Sequence, residues 1–193
     1  MTPTGPDDRP WHRGLTPDAI AEAALGIGFD RLTIAALADE LEVTQAALYR
    51  HFPSRDAIVD AALDLLARRI DWPAAEDDWR QHLRHIGETL VATFSTHPGL
   101  AREVHRLGAP PMIVAQINTS AVVLINAGFS EADAMLALTM LNSLVDGVAD
   151  SATVDAPSVL QDVEQNRRRP VPFSAQLDTL IAGLATRLAD EPS

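Results

Sequence analysis

Apolar residues return every three or four positions along most of this chain, and no stretch alternates with the period of two that a half-buried strand needs. The pattern is all-α. Ile20, Ala23, Ala24 and Ile27 mark a first helix over 16–27. Thr16 is suited to cap it, Pro17 to open it, and Asp18 to complement the positive end of its dipole. Ile34, Leu37, Ala38 and Leu41 mark a second helix from Thr33. After a very short connection a third runs from Thr44 to Phe52, with Ala47 and Leu48 able to face Ile34, Leu37 and Val43 across the turn. Its other side presents Gln45, Ala46, Tyr49 and Arg50. Two short helices joined by a tight turn let the second enter a major groove, whose width admits one α-helix.

Beyond these, Ser54 caps a connecting helix to Ile70 in which Ile58, Ala61, Ala62, Leu65 and Leu66 repeat at helical spacing. Trp72 and Pro73 end it. The acids Glu76, Asp77 and Asp78 then predict a helix start near Ala75, running to Thr96, where His97-Pro98-Gly99 stops it. A short helix over Pro98 to Arg106, an apolar one from Pro110-Pro111 to Ala127, and one capped at Ser130 and running to Ser151 follow. Residues 152–172 lose periodicity and carry Pro157, Arg167-Arg168-Arg169, Pro170 and Pro172, which predicts an exposed loop. Phe173 to Ala189 is amphipathic through Leu177, Leu180, Ile181, Leu184 and Leu188. The expected organisation is a tail over 1–14, a three-helix DNA-binding domain over 15–60, and a helical bundle over 61–193. The last two long helices carry more apolar surface than one face needs, which suits a four-helix dimer interface.

Composition narrows the functional classes. Of 193 residues, 47% are hydrophobic and 22% charged, ordinary for a soluble globular protein. The longest apolar stretch, Met112 to Ala127, is broken by Gln116, Asn118, Thr119, Ser120 and Asn126, so no membrane span is expected. Residues 1–10 carry acids and prolines rather than a basic region and an apolar run, so no signal peptide is expected and the cytoplasm is. Cysteine is absent, which removes disulfides, thiolate metal sites and cysteine nucleophiles. The net charge of −12 opposes nucleic acid as a partner, and residues 1–60 hold five arginines against ten acids. Local placement of charge must therefore carry any DNA contact.

The run from Leu32 to Ile58, above all Leu48-Tyr49-Arg50-His51-Phe52, resembles the DNA-binding domain of TetR-family repressors. The resemblance is strong over about residues 15–65 and weak beyond. It implies a homodimer on a palindromic double-stranded operator, since one recognition helix reads only a half-site. It also implies a small-molecule effector that releases the DNA, by reciprocal linkage between the two sites. The DNA-contacting residues it implies are Thr33, Thr44, Gln45, Ala46, Tyr49, Arg50, His51 and Arg55. Gln45 is then the reader of a base edge, Thr33 and Tyr49 hold phosphates, and Arg55 stands where the family usually has lysine. The turn departs from the family by placing Glu42 where glycine is usual. The alanines at 35, 36, 46 and 47 leave few side chains to reach bases, so phosphate contacts and DNA shape are expected to weigh heavily.

Polar residues scattered through the apolar bundle give the candidate effector-binding set: His82, His85, Thr89, Phe94, His105, Gln116, Thr119, Asn142 and Asp146. His82, His85, Thr89 and Thr93 share one helical stripe, and Thr139, Asn142 and Asp146 another. Val104 to Pro110 and Gly128-Phe129-Ser130 resemble weakly the effector domain of the tetracycline repressors. That resemblance implies a drug-bound magnesium at His105, but Asp150-Ser151-Ala152 replaces the acidic and glutamine cluster expected late in the long helix. The effector expected is therefore an apolar or amphipathic molecule of unidentified structure, with no resident metal or cofactor. Nothing positions a nucleophile, a phosphate loop or a metal-binding repeat, so no enzyme is expected. The competing reading, favoured by the net charge and by Glu42, is a helical interaction protein whose helix-turn-helix no longer binds DNA.

Overall fold

The computed structural model describes residues 15–153 and 171–190, and every regular element among them is a helix. In chain order these are α1 (Pro17–Ile27), α2 (Ile34–Glu40), α3 (Gln45–Tyr49), α4 (Arg55–Arg69), α5 (Trp79–Thr96), α6 (Leu100–Leu107), α7 (Pro111–Asn126), α8 (Glu131–Thr153) and α9 (Phe173–Asp190). The predicted loop over 152–172 loses its first two residues to α8, and its portion from 154 to 170, with the arginine triplet, lies outside the described residues.

The chain divides into two compact units. Of the described residues, the first holds 15–70 together with His97–Ile113; the second holds Asp71–Thr96 and the residues from Val114 onward. The sequence boundary at residue 60 falls inside α4, whose whole length belongs to the first unit. That unit also takes in α6, which sequence order assigns to the C-terminal bundle.

In the first unit, α1 packs along α4. Ala19, Ile20, Ala23 and Ala24 from one and Ile58, Val59, Ala62, Leu63 and Leu66 from the other are buried, with Phe29, Leu37 and Leu48 closing the core. Four helices here start on the hydroxyl the sequence places for them. Thr16, Thr33, Thr44 and Ser54 accept the backbone N–H groups of Ala19, Ala36, Ala47 and Ala57 at 3.0–3.2 Å. Each such cap is worth about 1 kcal/mol.

The turn between α2 and α3 does adopt the left-handed geometry, with Glu42 at φ 54°, the one non-glycine residue of positive φ among those described. Val43 N–H donates to Ala38 O at 2.9 Å and Glu42 N–H to Asp39 O at 3.2 Å, the paired bonds of a Schellman cap. A side chain there costs about 1–2 kcal/mol in backbone strain. Glycine would relieve it but would itself cost about 0.4–1 kcal/mol through a freer unfolded chain. Glu42→Gly is therefore expected to raise stability by roughly 0.5–1 kcal/mol, read as a higher urea midpoint with unchanged m-value. An unchanged or lowered midpoint counts against strain at this turn.

The second unit is a bundle in which α5 and α9 pack against α8. Its core joins Trp79, Leu83, Ile86, Leu124, Phe129, Leu141, Leu177, Ile181 and Leu184. The Trp79 and Phe129 rings meet edge to face with centroids 4.9 Å apart. Gly87 lets α5 approach closely, since a Cβ there would lie 3.1 Å from both Leu141 and Phe173. Ser130 caps α8 as predicted, accepting the Asp133 N–H at 3.1 Å, and Arg187 on α9 pairs with Asp133 at 2.5 Å.

Candidate nucleic-acid interface and effector pocket

α3 is short because its apolar content is short. Ala47 and Leu48 are buried against the first unit, while Gln45, Ala46, Tyr49, Arg50 and His51 are exposed. The predicted helix to Phe52 survives past Tyr49 only as a tightened turn, with His51 and Phe52 N–H both donating to Leu48 O. Tyr49 is the telling side chain: half of it (50%) lies open to solvent, where an aromatic placed for packing alone would be inside. Thr33 and Thr44 are exposed with their hydroxyls turned to helix N–H groups, so each also marks a positive helix end suited to a phosphate. Seven of the eight residues expected to touch DNA thus stand open on and around α2 and α3.

Arg55 is different. Its side chain is 30% exposed; Nε donates to Leu32 O at 3.0 Å and Nη2 to Glu103 Oε1 at 3.0 Å, while Nη1 faces Asp56 at 3.9 Å. Glu103, on α6, is the residue that sequence reasoning missed. Its side chain is 3% exposed, and Arg106 donates to Oε2 from Nε at 2.9 Å and Nη2 at 2.7 Å. Burial pushes the Glu103 carboxyl up, but the hydrogen bonds and charges of Arg55 and Arg106 outweigh it and hold the group below the ordinary carboxylate range. Arg106 reaches further to Asp56 at 2.7 Å, which likewise lowers the Asp56 carboxyl. A lone glutamate in an eight-residue amphipathic helix gives no sequence signal of this, because its partner Arg55 stands 48 residues away.

The nine candidate effector-binding residues are not brought together. His82 is fully buried and bonds Ser120 Oγ at 3.0 Å through Nε2, and burial lowers its pKa, so it is a neutral core histidine at pH 7. Phe94 is also core. His105 sits in the first unit, exposed, with Nδ1 on Ala101 O at 2.8 Å. His85 is exposed and pairs with Glu76 at 2.6 Å; Asn142 is exposed and donates to Asp146 at 3.1 Å. Gln116 is half-buried, its Nε2 without a hydrogen-bond partner. Among the described residues no three histidines or carboxylates are placed to share a metal ion.

Among its described residues the second unit holds at least two hollows. One, of about 510 Å³, lies between Ala75–Asp77 and the α7 residues Asn118, Thr119, Val122, Val123 and Asn126. The other, of about 410 Å³, is bounded by Asp71–Ala74 with His85, Glu88 and Thr89. Of the predicted set, Thr119 lines the first and His85 and Thr89 the second. Both flank the segment 71–78, which is irregular where the sequence predicts the opening of α5. Asp78 moves the start: its carboxylate accepts the Arg80 N–H at 2.9 Å and its carbonyl the His82 N–H at 2.9 Å, so the helix begins only at Trp79.

A three-helix head with an exposed third helix, joined to a helical bundle with pockets, defines a helix-turn-helix protein with a separate all-α unit. Residues 18–62 match the family model described as bacterial regulatory proteins, tetR family. The class A tetracycline repressor protein of Escherichia coli is 35% identical over 143 residues, covering 69% of this chain and 65% of that one. The chain thus spans just under two thirds of that relative's length. Among solved structures, TetR of Acinetobacter baumannii AYE in complex with minocycline is 27% identical with a TM-score of 0.72, covering 90% of this chain and 98% of that one. BioQ of Mycobacterium smegmatis is 26% identical with a TM-score of 0.67, covering 89% and 99%. The chain belongs to the TetR family.

Proposed function

We propose that this chain is a ligand-responsive transcriptional repressor that binds a palindromic operator as a homodimer in the cytoplasm. The observation that carries the reading is α3 itself, which buries Ala47 and Leu48 and leaves Gln45, Tyr49, Arg50 and His51 in the open at the end of a capped helix-turn-helix. Tyr49, Thr33 and the helix N-termini serve phosphates, Gln45 a base edge, and Ala46 a thymine methyl. The relatives support it, since the class A relative is named a tetracycline repressor protein and the Acinetobacter one is in complex with minocycline.

The effector reading rests on the two hollows, whose volumes lie in the range of small-molecule sites. Their linings mix valine and alanine with Asn118, Thr119, Asn126 and carboxylates, which suits an amphipathic molecule. Dimerisation is supported by α8, where Met135, Leu136 and Met140 are exposed on one face, and by α9, whose exposed positions include the small residues Thr179, Ala182, Gly183 and Thr186. No catalytic role is assigned to any residue.

The test is a salt series of binding to the DNA flanking this protein's own gene, with wild type beside Tyr49→Ala. Wild type is expected to bind a flanking fragment well above a random duplex, with affinity falling as salt rises. Tyr49→Ala is expected to lose roughly 10-fold or more, about 1.4 kcal/mol, without a change in melting temperature because the ring is half exposed. Binding no better than to random duplex at low salt overturns the repressor reading and favours a helical interaction protein, to which the −12 charge is suited.

A further inference from the structure

We infer that Glu103 is a positioning residue of the DNA-reading head, and that Arg55 acts on DNA through the protein backbone at Leu32-Thr33 rather than through a phosphate of its own. The inference rests on the repressor reading above.

Four contacts fasten α6 and the turn before it onto the rest of the first unit. Asp30 N–H donates to Pro98 O at 3.2 Å, Arg102 to Phe29 O at 3.3 Å, Arg55 to Glu103 at 3.0 Å and Arg106 to Asp56 at 2.7 Å. All four end on the segment 29–32 or on the first two residues of α4, and Arg55 joins these two places, because its Nε holds Leu32 O. Leu32 precedes Thr33, the cap of α2 and an expected phosphate contact. Fixing that carbonyl fixes the peptide from which the cap and the α2 N-terminus start.

Glu103 decides which way the Arg55 fork points. A guanidinium presents its donors in one rigid plane. With Nη2 on a buried carboxylate and Nε on Leu32 O, the plane is set and the remaining Nη1 faces Asp56. A phosphate arriving from solvent would compete with a carboxylate already desolvated and already paired, which gives up its cation reluctantly. A lysine, usual in the family at this position, has no fork with which to bridge Glu103 and Leu32 O together.

The experiment measures operator affinity against salt for wild type, Glu103→Gln, Arg55→Gln, Arg55→Lys and the double Glu103→Gln/Arg55→Gln, each shown to be folded by circular dichroism and melting. Each single variant, Arg55→Lys included, is expected to bind roughly 10-fold more weakly at fixed salt. The double is expected to be no weaker than either Gln single, and the slope of log affinity against log salt is expected to stay at the wild-type value throughout. Two results overturn the inference. One is an Arg55→Gln slope shallower by about 0.9, the signature of one lost phosphate pair. The other is Arg55→Lys binding as wild type does, since a point charge serves a phosphate but lacks the fork that spans Leu32 O and Glu103; this second readout stands even where a glutamine variant does not fold. If wild type itself binds no flanking DNA, the repressor reading fails and this inference falls with it; wild-type binding with either overturning result removes the inference alone.

Discussion

Gly99→Val is expected to destabilise the first unit by about 2–5 kcal/mol. Gly99 precedes α6 with φ 85° and ψ −5°, in the left-handed region. A β-branched residue there is a genuine outlier, and the conformation alone costs about 1–2 kcal/mol. Space is the larger obstacle. A Cβ on Gly99 would lie 2.7 Å from the backbone nitrogen of Asp30 and 3.1 Å from its Cα. Backbone cannot rotate away as a side-chain end does, so relief means parting Asp30 from Pro98 O and drawing α6 off the segment that Arg102 and Arg55 also hold. Such overpacking adds about 1–3 kcal/mol. A unit of this size melts about 4–8 °C lower for each kcal/mol lost, so a fall of roughly 10 °C or more is expected in a thermal scan. Gly26→Ala is the control: nothing stands within 4 Å of a Cβ in that helical position, and it is expected to melt at or slightly above wild type. A Gly99→Val protein melting with wild type would show that the turn before α6 is free to leave the head.

Local chemistry explains what was legible in the sequence. Thr16, Thr33, Thr44, Ser54 and Ser130 each cap the helix that follows them, because a hydroxyl's reach to the third N–H depends on three residues and nothing else. The face of α3 was legible for the same reason: Ala47 and Leu48 in, Gln45 and Tyr49 out. The acids at 76–78 misled because several carboxylates in a row all favour a helix N-terminus, and it is the last, Asp78, whose carboxylate accepts a first-turn N–H, that of Arg80. Glu42 shows the limit of residue preference, since the Ala38 and Asp39 carbonyls close the turn in spite of the side chain.

The candidate site was legible where it is local and illegible where it is assembled. His82, His85 and Thr89 share a helical stripe, yet His82 is buried on Ser120 while His85, drawn out to Glu76, and Thr89 line a hollow, because where each ends depends on segments far away in the chain. The Glu103 cluster joins α4 to α6 across about fifty residues of chain and gives no periodic signal at all. Arg55 therefore reads from sequence as a surface cation at a DNA-contact position, and from the structure as a strut.

Leu136→Lys combined with Met140→Lys is expected to turn a dimer into a folded monomer and to lower operator affinity at least 100-fold. Leu136 and Met140 lie four residues apart on α8, hence on one face, and are 43% and 45% exposed in the single chain. Lysine at either place costs the isolated chain almost nothing, so folding is expected to be retained. In an isologous pair the same patch meets itself about a two-fold axis. Four ammonium groups would then enter a seam formed by Met135, Leu136 and Met140, and unpaired buried charge is what apolar seams tolerate least. The added positive charge favours DNA non-specifically, so a loss of operator binding runs against the direct electrostatic effect of the substitutions. It can only come from losing the second half-site. Sedimentation should then report one chain of 20.8 kDa where wild type reports two. A double variant that still sediments as a pair places the interface away from this face of α8, and one that is monomeric yet binds the operator as tightly as wild type removes the dimer from the recognition mechanism.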